Sequence, residues 1–522
     1  MLFYKLYQPL WSYSSKFQRK IFTLSKQMCN IRKTVSDTFI IKNADIYEKI
    51  LENSSTVQWK DIRKKVLQNN QEITPAIVDS IIIDMCVKNF HVDNAIAYFK
   101  FLRENNYPLN PAVIGKYLKL FVLKQDSLID ADKIEIVETY NALRQKYPYL
   151  DSFTAEQCVM SLSLTDEWEK ILEIIEMIRI TTNPGSNVYS ALVSAAFRNG
   201  KPDVAWKALA NLVSCKLFPH DNVYTSHLQY CQLEDTTTFN NRMGEIFNFW
   251  TNNGIIPHNQ IISAYADAAS KHGWSIKFVI ISKTGNCNCC GYYLSKITFT
   301  EKEFQKLAKS VMDRVIIGSD IYCKTNPEEL LRFQKFIENT KPYDIVIDGL
   351  NLTYAQSKTA PKLLSLINVV EHFNKQRKKI LVLTRKHQKK LSVFKQIERH
   401  AHVFFLNNLS ADDPYIIYAT MASGMNAMFV SLDLMRQHSY SLQNEHLQQQ
   451  FKKWQYSHQY FIKTSRTGIR IQEPFACMPI VQKTDNGPVD IWHVPYVNRN
   501  IISTESYVVP EKWYCFEYNK KK

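Results

Sequence analysis

A repeat of about 35 residues in the first half of the chain restricts its fold more than any other feature of the sequence. The tripeptide Asn-Val-Tyr at residues 187–189 returns at 222–224, and Pro184 returns at Pro219. Prolines with similar surroundings also stand at positions 108, 148 and 257. Such a period is typical of paired helices, which bury their apolar faces only by stacking on neighbouring repeats. The sequence therefore predicts an α-helical repeat solenoid over residues 70–258.

One repeat unit shows where its helices begin and end. Apolar residues recur at three- and four-residue steps from Val188 onward. Gly200 then marks the end of one helix, and Pro202 suits the first turn of the next. The length of the unit and the proline after its second helix resemble the pentatricopeptide repeat. That resemblance implies binding of single-stranded or looped RNA; a helical repeat that binds protein is the alternative.

Composition limits the classes to which the chain can belong. With 522 residues, of which 45% are apolar, it is expected to form roughly three or four globular domains. No apolar run is long enough to predict insertion into a membrane. The excess of 65 Lys and Arg over 49 Asp and Glu favours a polyanionic partner, because neutralising phosphates releases counterions. The 11 cysteines are mostly scattered, which indicates a reducing compartment rather than a disulfide scaffold.

The N-terminal segment differs in composition from the rest of the chain. The first acidic residue is Asp37, and seven Lys and Arg precede it among serines and aromatic residues. This composition is typical of a mitochondrial transit region, which we predict at residues 1–40. The alternative is a basic tail that binds nucleic acid directly.

Strand-like and helix-like segments alternate in the last third of the chain. Apolar runs of strand length begin at Tyr343 and recur at 379–385, 402–408 and 426–433. Helical patterns separate them at 360–377, 387–399, 411–422 and from 434 to about 455. This alternation predicts an α/β domain with a parallel sheet over residues 341–479.

Aspartates follow those apolar runs at Asp348, Asp412, Asp413 and Asp433. The carboxyl ends of parallel strands meet at one edge of a sheet, where ligands usually bind. Mg²⁺ prefers carboxylate and water oxygens, and adjacent carboxylates repel one another without a cation. The sequence therefore predicts a magnesium site that serves phosphodiester chemistry. Taken singly, each acid could instead cap a helix or lie in an ordinary turn.

The middle of the chain contains half of a possible zinc site. Cys287 and Cys290 form a C-x-x-C step followed by Gly291, an arrangement that offers two thiolates to one tetrahedral ion. His493 and Cys515 are candidates for the other two ligands, although they stand far downstream. Cys289 could replace a neighbour or remain a free thiol. A redox C-x-x-C is the alternative, but no thioredoxin-like βαβ pattern surrounds it.

Five short motifs together resemble the protein-only ribonuclease P family, whose nuclease domain is NYN/PIN-like. They are VIDGLNLTY, SADDPYIIYA and SLDLMRQH in the α/β region, CNCCG upstream and WHVP downstream. The resemblance implies a PIN-like nuclease domain joined to the repeats by a split zinc-binding domain at 259–340 and 480–522.

The same resemblance implies roles for particular residues. Asp348, Asp412, Asp413 and Asp433 would hold catalytic Mg²⁺, and Arg436 and His438 would contact substrate phosphate or a nearby water. A structural ion pair is the alternative for Arg436. A structural Zn²⁺ would be held by Cys287, Cys290, His493 and Cys515. Two positions depart from the family pattern, because Leu432 stands where Asn is usual and Gln437 where Asp is usual.

The implied activity is removal of the 5′ leader from precursor tRNA in the mitochondrial matrix. Animal members are expected to work with a tRNA methyltransferase subunit and a short-chain dehydrogenase subunit. Two other functions share much of the pattern: a non-catalytic organellar RNA-binding repeat protein, and a nuclease that acts on another structured RNA. Product mapping with precursor tRNA would separate these three possibilities.

Overall fold

The structure of this chain is a computed structural model, and it describes most of residues 48–519. The described residues are 48, 50, 56–68, 73–88, 91–232, 235–313, 327–354, 364–407, 413–432, 435, 442, 444–465, 468–486, 489–498, 510 and 512–519. The predicted transit region therefore lies outside them. The chain divides into two compact units, residues 1–230 and 231–522. Among the described residues, no helix has the length and apolar character needed to cross a membrane.

The first unit is built from successive α-helices. Its described helices are Thr56–Gln68, Val78–Lys88, Val92–Glu104, Pro111–Leu123, Asp130–Lys146, Ser152–Leu162, Ile171–Arg179, Ser186–Arg198 and Pro202–Ser214, and the helix Asp221–Gln232 crosses the division. From Thr56–Gln68 to Pro202–Ser214 each helix contacts the next, and alternate helices also pack together, as Pro111–Leu123 does with Ser152–Leu162. This packing confirms the predicted helical repeat region.

The repeat unit used in the prediction ends its helices where the local signals indicated. Val188, Leu192 and Ala195 are buried on the helix Ser186–Arg198. Gly200 has φ +64°, a left-handed conformation that costs glycine little, and Pro202 is the first residue of the next helix. Local sequence was sufficient here because both signals act through the backbone alone.

The second unit contains two sheets. Its described strands are β1 Ser275–Val279, β2 Ile345–Asp348, β3 Ile380–Arg385, β4 His402–Leu406, β5 Met428–Val430, β6 Gln459–Ser465, β7 Gly468–Gln472, β8 Gln482–Asn486, β9 Val489–Tyr496 and β10 Lys512–Asn519. Its described helices are Thr236–Asn253, Asn259–Lys271, Glu301–Val311, Pro327–Thr340, Gly349–Tyr354, Leu364–Lys375, Val393–Ile397, Asp413–Ala422 and Glu445–His458.

The smaller sheet joins distant parts of the chain. Its order is β1-β10-β9-β8, with antiparallel neighbours throughout, so a strand before the larger sheet pairs with strands after it. The helix Thr236–Asn253 packs on this sheet through Phe247, whose ring centroid lies 5.4 Å from that of Trp492 and 5.2 Å from that of Phe516. This helix, which the predicted boundaries assigned to the repeats, therefore shares a core with the smaller sheet.

The larger sheet has the order β4-β3-β2-β5-β6-β7, and its first five strands are parallel. This arrangement confirms the predicted parallel-sheet α/β fold. Side chains alternate between its faces: Val346 faces one core, whereas Ile345 and Ile347 face the other. The first core also contains Phe304 and Phe333, from two helices that precede β2. The domain boundaries themselves stay a prediction.

Candidate functional site

Asp348 is the last residue of β2 and its side chain is fully buried. Its Oδ1 accepts a hydrogen bond from the backbone N–H of Asn351 at 3.0 Å. Its Oδ2 accepts from the side-chain amide of Asn351 and, at 2.9 Å, from the hydroxyl of Ser431. Donors converge on both oxygens, and these hydrogen bonds fix the orientation of the carboxylate. The local structure therefore fixes a buried acceptor at the carboxyl end of the central strand.

This carboxylate lies where the strand order reverses. From β2 the chain continues to β3 and β4 on one side of the sheet, and β5 then pairs with the other side of β2. Ser431 directly follows β5, so its hydrogen bond to Asp348 crosses this switch point. Ligands of open α/β sheets bind in the crevice at such points.

Two buried glutamine side chains form consecutive hydrogen bonds that end at the backbone of Ser431. The Gln459 side-chain amide donates to the Ser431 carbonyl oxygen at 3.0 Å, and the Gln455 amide donates to Gln459 Oε1 at 2.8 Å. All three residues are buried. Because an unpaired buried polar group is costly, this network holds the backbone of Ser431 in place, and the hydroxyl reaches Asp348 from that fixed position.

Gly349 allows the short helix Gly349–Tyr354 to lie directly against β3. A Cβ atom at this position would meet the Leu383 carbonyl oxygen at 2.8 Å and Val382 Cγ1 at 3.0 Å. The first of these contacts involves backbone, which cannot move aside easily. The absence of a side chain at Gly349 therefore permits the turn that carries Asn351 to Asp348.

Asp413 is the first residue of the helix Asp413–Ala422 and is half-buried. A negative charge at this position interacts favourably with the helix dipole. The structure is therefore compatible with the alternative interpretation, in which Asp413 stabilises the start of the helix. Asp412, Asp433, Arg436, His438 and Gln437 lie outside the described residues. Asp348 and Asp413 supply carboxylate oxygens, which suit Mg²⁺. The complete set of four carboxylates stays a prediction.

Several polar residues near this edge were missed by the sequence analysis. Ser431 and Asn351 stand inside two of the quoted motifs, so the motifs contained a signal for them. Glu329 had no comparable signal: it is buried and accepts a hydrogen bond at 2.7 Å from the backbone N–H of Asn407, just beyond β4. Arg332 also lies within 3.5 Å of this carboxylate. Only tertiary packing brings Glu329 to the strand end.

The structure brings the four predicted zinc ligands together. The candidate ligand atoms of Cys287, Cys290, His493 and Cys515 all lie within 4.8 Å of one another. Cys290 Sγ is 3.2 Å from His493 Nε2. His493 on β9 and Cys515 on β10 are directly opposite partners in an antiparallel pair, so their side chains share one face. The turn after β1 brings the two remaining cysteines to that face.

The electrostatics of this cluster suit a cation. Burial lowers the pKa of His493 to about 4, so its imidazole is neutral and its nitrogen can bind a metal. Burial and, secondarily, neighbouring thiols raise the pKa of Cys515, and burial raises that of Cys290 to about 11. Without a cation these sulfurs are therefore protonated. Three sulfurs and one nitrogen match a structural zinc site of the Cys₃His type.

Cys289 lies to one side of this cluster. Its Sγ is 3.7 Å from Glu517 Oε1, and Cys515 Sγ is 3.5 Å from the same oxygen. Cys289, Cys515 and Glu517 thus form a second close group that shares one member with the first. The four-residue set has the more suitable donors for zinc because it contains three thiols and an imidazole.

Comparison with known proteins gives the same family as the motifs. The family model described as protein-only RNase P matches residues 281–515. Mitochondrial ribonuclease P catalytic subunits of Rattus norvegicus and Mus musculus are 30% identical over 429 residues, which cover 79% of this chain and 70% and 71% of theirs. The crystal structure of nuclear proteinaceous RNase P 2 from Arabidopsis thaliana is 14% identical and covers 85% of this chain and 99% of its own. Its TM-score of 0.54 indicates a shared fold.

Proposed function

The chain belongs to the protein-only ribonuclease P family, and on that premise we propose that it is a catalytic subunit that removes 5′ leaders from precursor tRNAs. The observation that carries this proposal is the buried Asp348 at the switch point of a parallel sheet, inside the segment that the family model matches. A chain with 65 Lys and Arg against 49 Asp and Glu is also suited to a polyanionic substrate.

We propose that Asp348, Asp412, Asp413 and Asp433 form the catalytic carboxylate set and hold Mg²⁺. When bound, Mg²⁺ would activate water and stabilise the leaving 3′ oxygen, so that the tRNA keeps a 5′ phosphate. Asn351 and Ser431 orient the Asp348 carboxylate through the hydrogen bonds described above. Arg436 and His438 are proposed to contact the substrate phosphate.

The other two parts of the chain are given supporting roles in this proposal. The helical repeats would bind the folded tRNA by its shape and its looped bases. Zinc at Cys287, Cys290, His493 and Cys515 would hold the smaller sheet together, because its strands come from both sides of the nuclease segment. This role is structural, since all four positions of a tetrahedral ion would be occupied by protein.

The site of action is proposed to be the mitochondrion, in its matrix. Two relatives are named mitochondrial catalytic subunits, and the N-terminal composition is of the transit type. We further propose that the chain acts with a tRNA methyltransferase subunit and a short-chain dehydrogenase subunit.

Incubation with a 5′-extended precursor tRNA tests the proposed activity directly. We expect Mg²⁺-dependent cleavage that yields a mature 5′-phosphate end, as determined by mapping both products. The reaction should be run with the chain alone and with both proposed partner subunits. Binding without cleavage in every arm would favour the RNA-binding alternative. Cleavage of another structured RNA but not of precursor tRNA would favour a different nuclease function.

Replacement of Ser431 by alanine tests how Asp348 is positioned. We expect cleavage to fall by about 10- to 100-fold, with a higher Mg²⁺ concentration needed for half-maximal rate, as is usual when a partner of a metal ligand is lost. Ser431→Thr retains the hydroxyl and should recover most of the rate. A Ser431→Ala protein with an unchanged Mg²⁺ titration would argue against this positioning role.

A further inference from the structure

A short basic turn follows β3 at the same edge of the sheet as Asp348. We define the basic turn as residues 385–390: Arg385 ends β3, and Lys386–Lys390 form a 3₁₀ helix. It carries four Lys and Arg residues and His387, and the sequence has no acidic residue from 380 to 397. Lys386, Lys389 and Lys390 are exposed. The turn is therefore a local concentration of positive charge.

The position of the basic turn relative to Asp348 follows from strand register. Asp348 on β2 pairs with Leu383 on β3, and the two strands are parallel. Arg385 lies two residues further along β3. With a rise of ~3.3 Å per residue and ~4.8 Å between strands, the turn begins about 8 Å from the Asp348 backbone. A phosphate at the carboxylate edge would thus have its neighbours within reach of lysine side chains from this turn.

The backbone of the basic turn is anchored to the sheet. Gln388 is buried and its Oε1 accepts a hydrogen bond from the Thr384 hydroxyl, which is also buried. The backbone N–H of Leu391 donates to the Gln388 carbonyl oxygen at 2.9 Å. Lys389 Nζ lies 5.5 Å from the centroid of the Phe405 ring on β4. The backbone that carries the positive charges is consequently fixed at the end of β3, at the same edge of the sheet as Asp348.

A run of basic residues is by itself weak support for a phosphate-binding surface, because charged side chains are often simply solvated at the protein surface. The opposite end of β3 shows this clearly: Lys375, Arg377, Lys378 and Lys379 are exposed there, at the amino edge of the sheet. The two clusters are similar in charge but differ in position. Of these two clusters, the turn at 385–390 lies at the edge that contains Asp348. Its position therefore distinguishes it from the other cluster, which serves as a control.

We infer that the basic turn binds the RNA backbone phosphates that flank the cleaved bond. This inference rests on the proposed function and adds a specific contact surface to it. Lysine ammonium groups bind phosphates as point charges without reading the base, which suits a surface that must accept leaders of different sequence. The turn also offsets the repulsion between RNA and the nearby carboxylates, since it adds positive charge at the same edge.

Two matched double variants test the inference. Lys386→Gln with Lys390→Gln removes two charges from the basic turn, whereas Lys375→Gln with Lys378→Gln removes two from the opposite edge. Affinity for a 5′-extended precursor tRNA and for the mature tRNA is measured over a series of KCl concentrations, without added Mg²⁺. Loss of two phosphate contacts should reduce the slope of log K against log salt by about 1.4 to 1.8. We expect the opposite-edge variant to keep the slope of the unmodified protein.

The two RNAs identify which phosphates are bound. A loss confined to the precursor assigns the contact to the leader, whereas an equal loss with mature tRNA assigns it to the acceptor stem; both support the inference. An unchanged slope in the Lys386/Lys390 variant, or an equal loss in the opposite-edge variant, would overturn it. Because these readouts measure binding, they are distinct from failure of the proposed activity, which would appear as an unmodified protein that cleaves no precursor.

Discussion

Replacement of Asp348 by asparagine is expected to reduce leader cleavage by about 10³-fold, because a metal site supplies several kcal/mol of charge stabilisation and each 1.4 kcal/mol is worth a factor of ten. The substitution keeps the size of the side chain and removes its negative charge. Precursor binding should change by less than about twofold, since most affinity for nucleic acid comes from basic contacts to phosphates. Single-turnover cleavage and equilibrium binding measure the two effects separately.

The hydrogen bonds of Asp348 add a second reason for a large effect. Both carboxylate oxygens accept from donors on Asn351 and Ser431. An asparagine has one acceptor oxygen, and its NH₂ group would face at least one of these donors. The side chain should therefore lose its fixed orientation as well as its charge.

Asp344→Asn is the matched control for this variant. Asp344 stands at the opposite end of β2, is half-exposed, and accepts a hydrogen bond at 2.8 Å from the backbone N–H of Lys379, which an asparagine oxygen can also accept. Its cleavage rate should stay within about twofold of the unmodified protein, since changes at such surface positions are usually small. Full cleavage by folded Asp348→Asn protein would remove the central carboxylate from the proposed mechanism.

The strands around Asp348 were predictable because burial on both faces leaves a clear trace in the sequence. The run that begins at Tyr343 contains β2, and the predicted run at 379–385 matches β3 closely. In contrast, the predicted helix at 387–399 is wrong in detail: the structure has a 3₁₀ helix at Lys386–Lys390 and a short α-helix at Val393–Ile397. The side chain of Gln388 bonds Thr384 at the end of β3, a tertiary contact that periodicity does not reveal.

Contacts between distant segments explain what else the sequence analysis missed. Phe304 and Phe333 belong to the core of the larger sheet although their helices precede β2. Gln459 supports Ser431 from the start of β6, a strand that the apolar runs did not predict. In each case the local sequence pattern of the helix or strand does not show which distant segment it packs against. Tertiary packing determines the contacting segment, which lies too far away in the sequence to be identified from local patterns.

The candidate zinc cluster contains residues that local sequence reveals and residues that only the tertiary fold brings together. The C-x-x-C step at Cys287 and Cys290 is local and was visible in the sequence. His493 and Cys515 could be paired with it only through the family resemblance, because the register of β9 and β10 is set by the fold. The structure brings these four side chains together, and the presence of zinc stays a prediction.

Replacement of Cys287 by serine is expected to abolish stoichiometric zinc binding and to destabilise the second unit. Cys287 is fully buried in a small core that also contains Trp513 and Cys515. A ligand present at a thousand times its Kd stabilises the folded state by about 4 kcal/mol. Loss of that stabilisation should lower the unfolding midpoint by roughly 10 °C for a unit of this size. Metal analysis of the purified protein and thermal unfolding measure the two results.

Cys289→Ser provides the matched control, because Cys289 is adjacent in sequence but lies toward Glu517 rather than in the four-residue cluster. This variant should retain one zinc per chain and an unfolding midpoint within about 2 °C, as expected for a partly exposed position. Full zinc content in Cys287→Ser would contradict the proposed site, whereas zinc loss in Cys289→Ser would place Cys289 among the ligands. The candidate zinc cluster belongs to the smaller sheet and Asp348 to the larger one. Cleavage by Cys287→Ser should therefore fall in proportion to the unfolded fraction, with the Mg²⁺ dependence of the remaining activity unchanged.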